Sequence, residues 1–464
     1  MGRQPSIVFT RPLIGLSILA QWPLCAALAR PLGQSPFTTV NGVCVLLALA
    51  SLGLWLLGCR PQGFGRIALL LVGSLLLTGS FLLSLRSQPA LWPLFLGAGA
   101  WILTFLQLFK MRALRSSLIA LAVASVSFTA ALAETALEVW PTGAKRYPET
   151  AYGDLSMVDE SGRARLIPNA SCRHVKADFD VVYHTEADGG RRIPQRPDKG
   201  PSWLCFGCSF AFGEGLDDSQ TIPAQLQKHN PGYRLYNYAM MSKSTADAYL
   251  QWPDRLVEHS DAGLCVYFLI ADHFFRDSCP PQFVMQNWAQ QAPRFVVDAN
   301  NHPVLKGKAV QTVGLWDKVE IELLKHSRLY AAAFGGWHVT PSSTRLTTAI
   351  LEQMQQQCKA RPGCRFLLVC LPEREPRGTA EISVWARQLQ DAGMPVLDLS
   401  TKFSRFLDEQ REERKSYYLA EGHPNGRYAK LIADWVTEYV RAWDRTGEAP
   451  HLADTVSADA AGLR

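Results

Sequence analysis

The sequence contains no internal repeat, no low-complexity tract and no dense run of lysine and arginine. The first two absences leave no sign of a repeat array or a long disordered linker. The third, with a formal charge of only +6 over 464 residues, argues against nucleic acid as a partner. There is no HExxH, and the lone CxxC of Cys205 and Cys208 has no matching second pair. Neither a metal site nor a cofactor is therefore expected. Charge is also scarce in one region: Pro12 to Leu137 carries little beyond short Arg and Lys clusters, whereas acids, bases and aromatics mix evenly after Pro141.

The uncharged region reads as five membrane spans, at 12–29, 39–59, 67–85, 89–109 and 116–137. Crossing a hydrocarbon core of about 30 Å takes roughly 20 apolar residues in helix. Only the fifth segment holds an acid, Glu134. Arg3, Arg11, Arg60, Arg66, Lys110, Arg112 and Arg115 fall on one side of such a bundle, and Arg30 and Arg86 on the other. Basic loops stay cytoplasmic. The expectation is a multi-pass protein of a bacterial inner membrane, with residues 1–140 in the bilayer and the rest in the periplasm. In that oxidising compartment Cys358 and Cys364, which flank Pro362-Gly363, are the expected disulfide. Cys205, Cys265 and Cys370 lie in apolar strands and are expected as buried thiols.

Residues 141–450 alternate short apolar runs with amphipathic stretches, and 451–464 form a loose tail. "SWLCFGCS", "YRLYNYAM", "LCVYFLIAD", "RFLLVCLP" and "PVLDLS" predict strands; "TIPAQLQKH", "STADAYLQWPDRLVEH", "TRLTTAILEQMQQQCKA", "EISVWARQLQDA" and "HPNGRYAKLIADWVTEYVRAW" predict helices. This is the pattern of an α/β three-layer domain with a mostly parallel sheet covered on both faces. An insertion at about 280–330 breaks the rhythm, and "RFVVDANNHPVLKG" within it predicts a hairpin. Ligands of such sheets bind at the carboxyl ends of the strands. Ser209, Asn237, Asp272, His273 and Arg276 all fall there.

A serine hydroxyl becomes nucleophilic near neutral pH only beside a base, and that base needs a carboxylate to fix its tautomer. Ser209 stands at a glycine-rich strand end, and Glu421 and His423 lie two apart before the last helix. Pro424 favours extended backbone at His423, and Asn425 can cap the final helix. The blocks "FGCSFAFGEGLDDSQTIPAQL", "LYNYAMMSKSTADAYL", "CVYFLIADHFFRD" and "EGHPNGRYAKLIADWV" resemble, in order, those of the SGNH/GDSL hydrolases. "VVYHTEADGGRR" is similar to the lead-in strand and turn of membrane-tethered members. The resemblance implies a Ser209–His423–Glu421 triad and an activity on O-acyl esters. It makes envelope glycans a reasonable substrate class, and leaves esterase and O-acyltransferase both open.

The sequence departs from that family at several places. Cys208 replaces the usual aspartate before the serine and reads as a packing residue. Glu421 stands where aspartate is commoner. The oxyanion hole is altered: Ala239 or Ser242 takes the place of a glycine, and Ala271 that of an asparagine side-chain donor. His273 or Arg276 are candidates to replace that donor, Asp272 with Arg276 can form a local ion pair, and Asn237 can close its strand. These departures keep a second reading open, a catalytically weak glycan-binding or assembly subunit. The apolar spans would then serve as an anchor or as a docking surface for a membrane partner protein.

Overall fold

A computed structural model describes residues 150–451, apart from 153–154, 159–162, 337–338 and 376–378. The five apolar segments and the tail lie outside the described residues. Among the described residues no helix is long and apolar enough to cross a membrane. Residues 319–336 belong to a different unit from the other described residues.

The other described residues centre on a five-stranded sheet in the order β12-β11-β8-β6-β7. The strands are β6 (Ser202–Gly207), β7 (Arg234–Asn237), β8 (Ala262–Leu269), β11 (Arg365–Cys370) and β12 (Val396–Asp398). Every pairing among them is parallel. Because side chains alternate across a strand, β6 feeds two cores at once. Trp203 and Cys205 pack with α2 (Ile222–His229), α7 (Leu399–Gln410) and α8 (Gly426–Thr446). Leu204 and Phe206 pack on the opposite face with α3 (Thr245–Glu258), α5 (Pro341–Lys359) and α6 (Thr379–Asp391). Two-sided burial explains why these strands read as continuous apolar runs. The predicted strands and crossover helices are all present. α7 has no counterpart among the predicted helices; it starts directly off β12, with Asp398 capping the N–H of Ser400.

The predicted hairpin is formed by β9 (Pro293–Val297) and β10 (Pro303–Lys308), paired antiparallel. Two small antiparallel sheets precede the main one: β1 (Thr150–Tyr152), β4 (Ser171–Lys176) and β5 (Phe179–His184), and the pair β2 (Ser156–Val158) with β3 (Ala164–Leu166). Of these only β5 is legible in sequence. The turn between β4 and β5 reaches the carboxyl edge of the main sheet, where Asp178 Oδ2 accepts the N–H of Ala420 at 2.6 Å.

The expected Cys358–Cys364 disulfide is not formed: both are buried thiols, as are Cys172, Cys205, Cys208, Cys265, Cys279 and Cys370. Cys364 also faces β8, where its Sγ lies 3.9 Å from that of Cys265.

Candidate active site

β6 ends in Gly207, and α1 (Ser209–Phe212) begins immediately beyond it. Gly207 has φ 153°, and a Cβ there would come within 2.9 Å of the carbonyl oxygen of Phe268 on the neighbouring strand. Glycine is thus required for the sharp exit that lifts Ser209 off the strand end. Ser209 is the first residue of the helical turn, so its N–H is one of those a helix leaves without an internal acceptor. The turn is held from below by Arg191. Its guanidinium is fully buried and donates to the carbonyl oxygens of Phe212 at 2.5 Å, Gly213 at 2.7 Å and Leu216 at 2.6 Å. Asp218 pairs with it at 3.3 Å.

His423 arrives from the loop before α8. Its Nε2 lies 2.8 Å from Ser209 Oγ, and its Nδ1 lies 2.6 Å from Glu421 Oε1. Gly422, at φ 109°, folds the carboxylate of Glu421 back onto the ring two residues later. Leu419 N–H donates to His423 O at 2.7 Å and closes the loop. Asn425 caps α8 by accepting from Arg427 and Tyr428. Burial pushes the Glu421 carboxyl up, but the hydrogen bond from His423 and the charges of His423 and Lys176 outweigh it and hold the group below its ordinary value. The carboxylate is therefore the stable form beside the imidazole.

Two further charged groups, which sequence reasoning missed, complete the cluster. Glu214, in the turn after α1, places Oε2 3.3 Å from His423 Nε2. Lys176, the last residue of β4, places Nζ 2.6 Å from Glu214 Oε1 and 3.4 Å from Glu421 Oε2. All three side chains are nearly buried, at 11%, 8% and 9% exposure for Lys176, Glu214 and Glu421. Glu214, Glu421 and His423 present ligand atoms within 4.8 Å of one another, but Lys176 already supplies a cation between the two carboxylates. The Gly-Glu-Gly of residues 213–215 was the only local sign of Glu214. Nothing near Lys176 in sequence announces its role.

The remaining candidates have other partners. Asn237 is buried; its Nδ2 donates to Ala211 O at 3.2 Å and its Oδ1 accepts the N–H of Ala239 at 3.1 Å. It stitches β7 to the serine turn and occupies the very N–H that Ala239 offers. Ser242 has the left-handed φ of 61°, which is uncommon for serine. His273 is buried in α4 (Asp272–Ser278), with Nδ1 2.9 Å from Tyr267 Oη. Burial, helped by the charge of Arg276, holds its pKa well below the ordinary value, so it is neutral. Arg276 donates to Lys243 O at 2.9 Å and pairs with the exposed Asp272 at 3.3 Å. Ala271 donates its N–H to Glu373 Oε1 at 2.6 Å. Burial raises the thiol pKa of Cys208, with the charge of Arg276 opposing, so the thiol keeps its proton. Two surface hollows, one around Arg192–Asp198 and one around Asn169–Ser171, include none of Ser209, Glu214, Glu421 or His423.

No family model matches this chain, and no curated protein matches it. Solved structures similar to it cover about half of its length. One is a protein assigned to the lipolytic G-D-S-L family from Desulfitobacterium hafniense DCB-2, at 13% identity and TM-score 0.32, covering 52% of this chain and 99% of that one. A second is LAE5, an alpha/beta hydrolase enzyme from the metagenome of Lake Arreo, at 16% identity and TM-score 0.32, covering 52% and 94%. A third is a catalytic mutant of the acetylxylan esterase Axe2 from Geobacillus stearothermophilus, at 12% identity and TM-score 0.31, covering 52% and 95%.

Proposed function

We propose that this chain is a membrane-anchored serine esterase or O-acyltransferase acting on O-acyl esters, acetyl esters of an envelope glycan foremost. The observation that carries the reading is the unbroken chain from Ser209 Oγ to His423 Nε2, at 2.8 Å, and from His423 Nδ1 to Glu421, at 2.6 Å. Ser209 Oγ attacks the ester carbonyl while His423 Nε2 takes its proton. Glu421 holds the Nδ1–H tautomer and stabilises the imidazolium. Glu214, on the other side of the ring, adds a second negative charge facing that cation. Lys176 keeps the two carboxylates from repelling one another. His423 then returns the proton to the departing alkoxide, leaving an acyl group on Ser209. Water as the second nucleophile completes an esterase cycle; a sugar hydroxyl completes an acyl transfer.

The Ser209 N–H is the oxyanion donor that the turn supplies. A side-chain donor from Ala271 is excluded by its chemistry, and the Ala239 N–H is engaged by Asn237. That shortfall supports a second reading, a catalytically weak glycan-binding or assembly subunit. A fluorophosphonate probe separates the two, because labelling requires an activated serine. Stoichiometric labelling at Ser209 is expected; a folded protein that takes no label would favour the binding module. The anchor and the extracytoplasmic side are supported by the length of the apolar segments and the basic bias around them. Protease added outside intact spheroplasts should digest the domain, and its protection until lysis would reverse the topology.

A further inference from the structure

At the edge of the sheet opposite Ser209, three cysteines from three elements converge. Cys265 is the fourth residue of β8, Cys358 lies in the last turn of α5, and Cys364 immediately precedes β11. Parallel pairing sets Phe366 beside Cys265 and so brings Cys364 to the β8 side of its strand. The connection from Cys358 to Cys364 is a tight turn. Arg361 N–H donates to Cys358 O at 2.9 Å and Cys364 N–H donates to Arg361 O at 3.2 Å, with Gly363 at φ 75° between them. Arg361 itself is anchored on Leu256 O. The three Sγ atoms lie within 4.8 Å of one another, and those of Cys265 and Cys364 are 3.9 Å apart.

The Cys265–Cys364 separation matches a coordination geometry, and the third sulfur is within reach of it. At a metal–thiolate distance of about 2.3 Å, three sulfurs at the corners of a planar triangle sit about 4.0 Å apart. Among the described residues no fourth His, Cys, Asp or Glu joins the group. Soft thiolates select Cu(I), zinc and iron–sulfur clusters; structural zinc and iron–sulfur clusters ordinarily take four protein ligands, which leaves Cu(I) for a set of three. The surroundings are apolar, since all three cysteines belong to the core that contains Trp252, Met354 and Phe366. Cys364 retains 8% exposure, which gives an ion an entry at the turn.

We infer that Cys265, Cys358 and Cys364 form a three-coordinate thiolate site for a soft monovalent metal ion of the Cu(I) class. Binding exchanges thiol protons for metal–sulfur bonds, with no change in oxidation state. It ties β8, the end of α5 and the start of β11 together. The lone CxxC of Cys205 and Cys208 takes no part.

The test is a titration of the full chain, purified under reductant, with Cu(I) against a chromogenic Cu(I) chelator in the absence of oxygen. One equivalent should be retained, three thiols should be lost to a thiol reagent on binding, and Tm should rise. Cys265→Ser and Cys364→Ser should each cut the retained Cu(I) at least about tenfold, the least that loss of even an outer-shell partner of a metal site costs, while Cys370→Ser should not. X-ray absorption of the wild-type Cu(I) complex should show three sulfurs in a single shell, a readout that holds even if a serine variant fails to fold. Loss of all Cu(I) to the chelator would overturn the site. So would a shell of two sulfurs, or a single equivalent of Zn(II) that Cu(I) does not displace. Retention unchanged in Cys364→Ser would place the ion elsewhere and refute the assignment.

Discussion

Replacing Lys176 by methionine removes the only cation seated between Glu214 and Glu421 among the described residues, while the long apolar stem of the side chain is kept. Its ammonium is 2.6 Å from one carboxylate and 3.4 Å from the other, with all three groups about nine-tenths buried. Breaking a buried ion pair by removing one partner typically costs about 3–5 kcal/mol, because the remaining charge is left without compensation. The lower end, about 3 kcal/mol at neutral pH, is expected here, since all three side chains keep about a tenth of their exposure to solvent. The sign with pH follows from Glu421, whose carboxyl is held below its ordinary value in part by Lys176. A group depressed on folding contributes stability that is present above its unfolded pKa and lost as pH falls through the folded one. The penalty of Lys176→Met should therefore be full at pH 7 and shrink at low pH, as the Glu421 carboxyl takes up its proton. Urea unfolding at pH 7 and at about pH 3, on the single variants Lys176→Met and Glu214→Gln and on the double variant, measures this. The double variant should recover at least about 1 kcal/mol relative to additivity, because the two sites are in contact. A penalty under about 0.5 kcal/mol at pH 7, or one that is equal at both pH values, would refute the account of a neutralising lysine.

Ser209→Ala and His423→Ala should each abolish hydrolysis of a short-chain aryl acetate, and together be little worse than either alone, because triad members act as a unit; independent, multiplying losses in a steady-state assay would deny them a shared step. Cys208→Ala should keep most of the activity, as expected for a buried, protonated thiol; if it kills turnover while Ser209→Ala spares it, the nucleophile lies one residue earlier. Gly422→Ala meets no atom within 4 Å, so its effect isolates backbone strain at φ 109°. It should lower kcat by about tenfold or more while costing only about 1–2 kcal/mol of stability, and wild-type kcat in this variant would show that the fold-back of Glu421 is dispensable. Arg191→Met should destabilise the domain by more than about 3 kcal/mol in a denaturant titration, because three buried carbonyls lose their donor; a near-neutral result would mean that the serine turn is self-supporting.

Local chemistry by itself determined much of this protein. Two-sided burial writes continuous apolar runs, so β6, β8 and β11 were legible, and with them the parallel sheet and its covering helices. Glycine at a strand end marked the turn at Ser209, and a two-residue spacing brought Glu421 and His423 to one loop, where Gly422 lets the carboxylate reach the ring. Each of those signals is carried by residues within a few positions of one another. Tertiary structure alone decided the rest. Lys176 meets Glu421 across 245 residues and Glu214 across 38. Cys364 meets Cys265 across 99, in a cluster that also holds Cys358. Arg191 belongs to a legible motif, but its role exists only once the carbonyls of the serine turn are folded over its guanidinium. Ala239 offers an N–H in sequence that Asn237 takes up in space. In each case the group is polar and its neighbours in the chain are ordinary. A charge, thiol or amide is tolerated in a low-dielectric interior only when a partner is delivered there by another element. That partner is a property of packing, and no local periodicity encodes it.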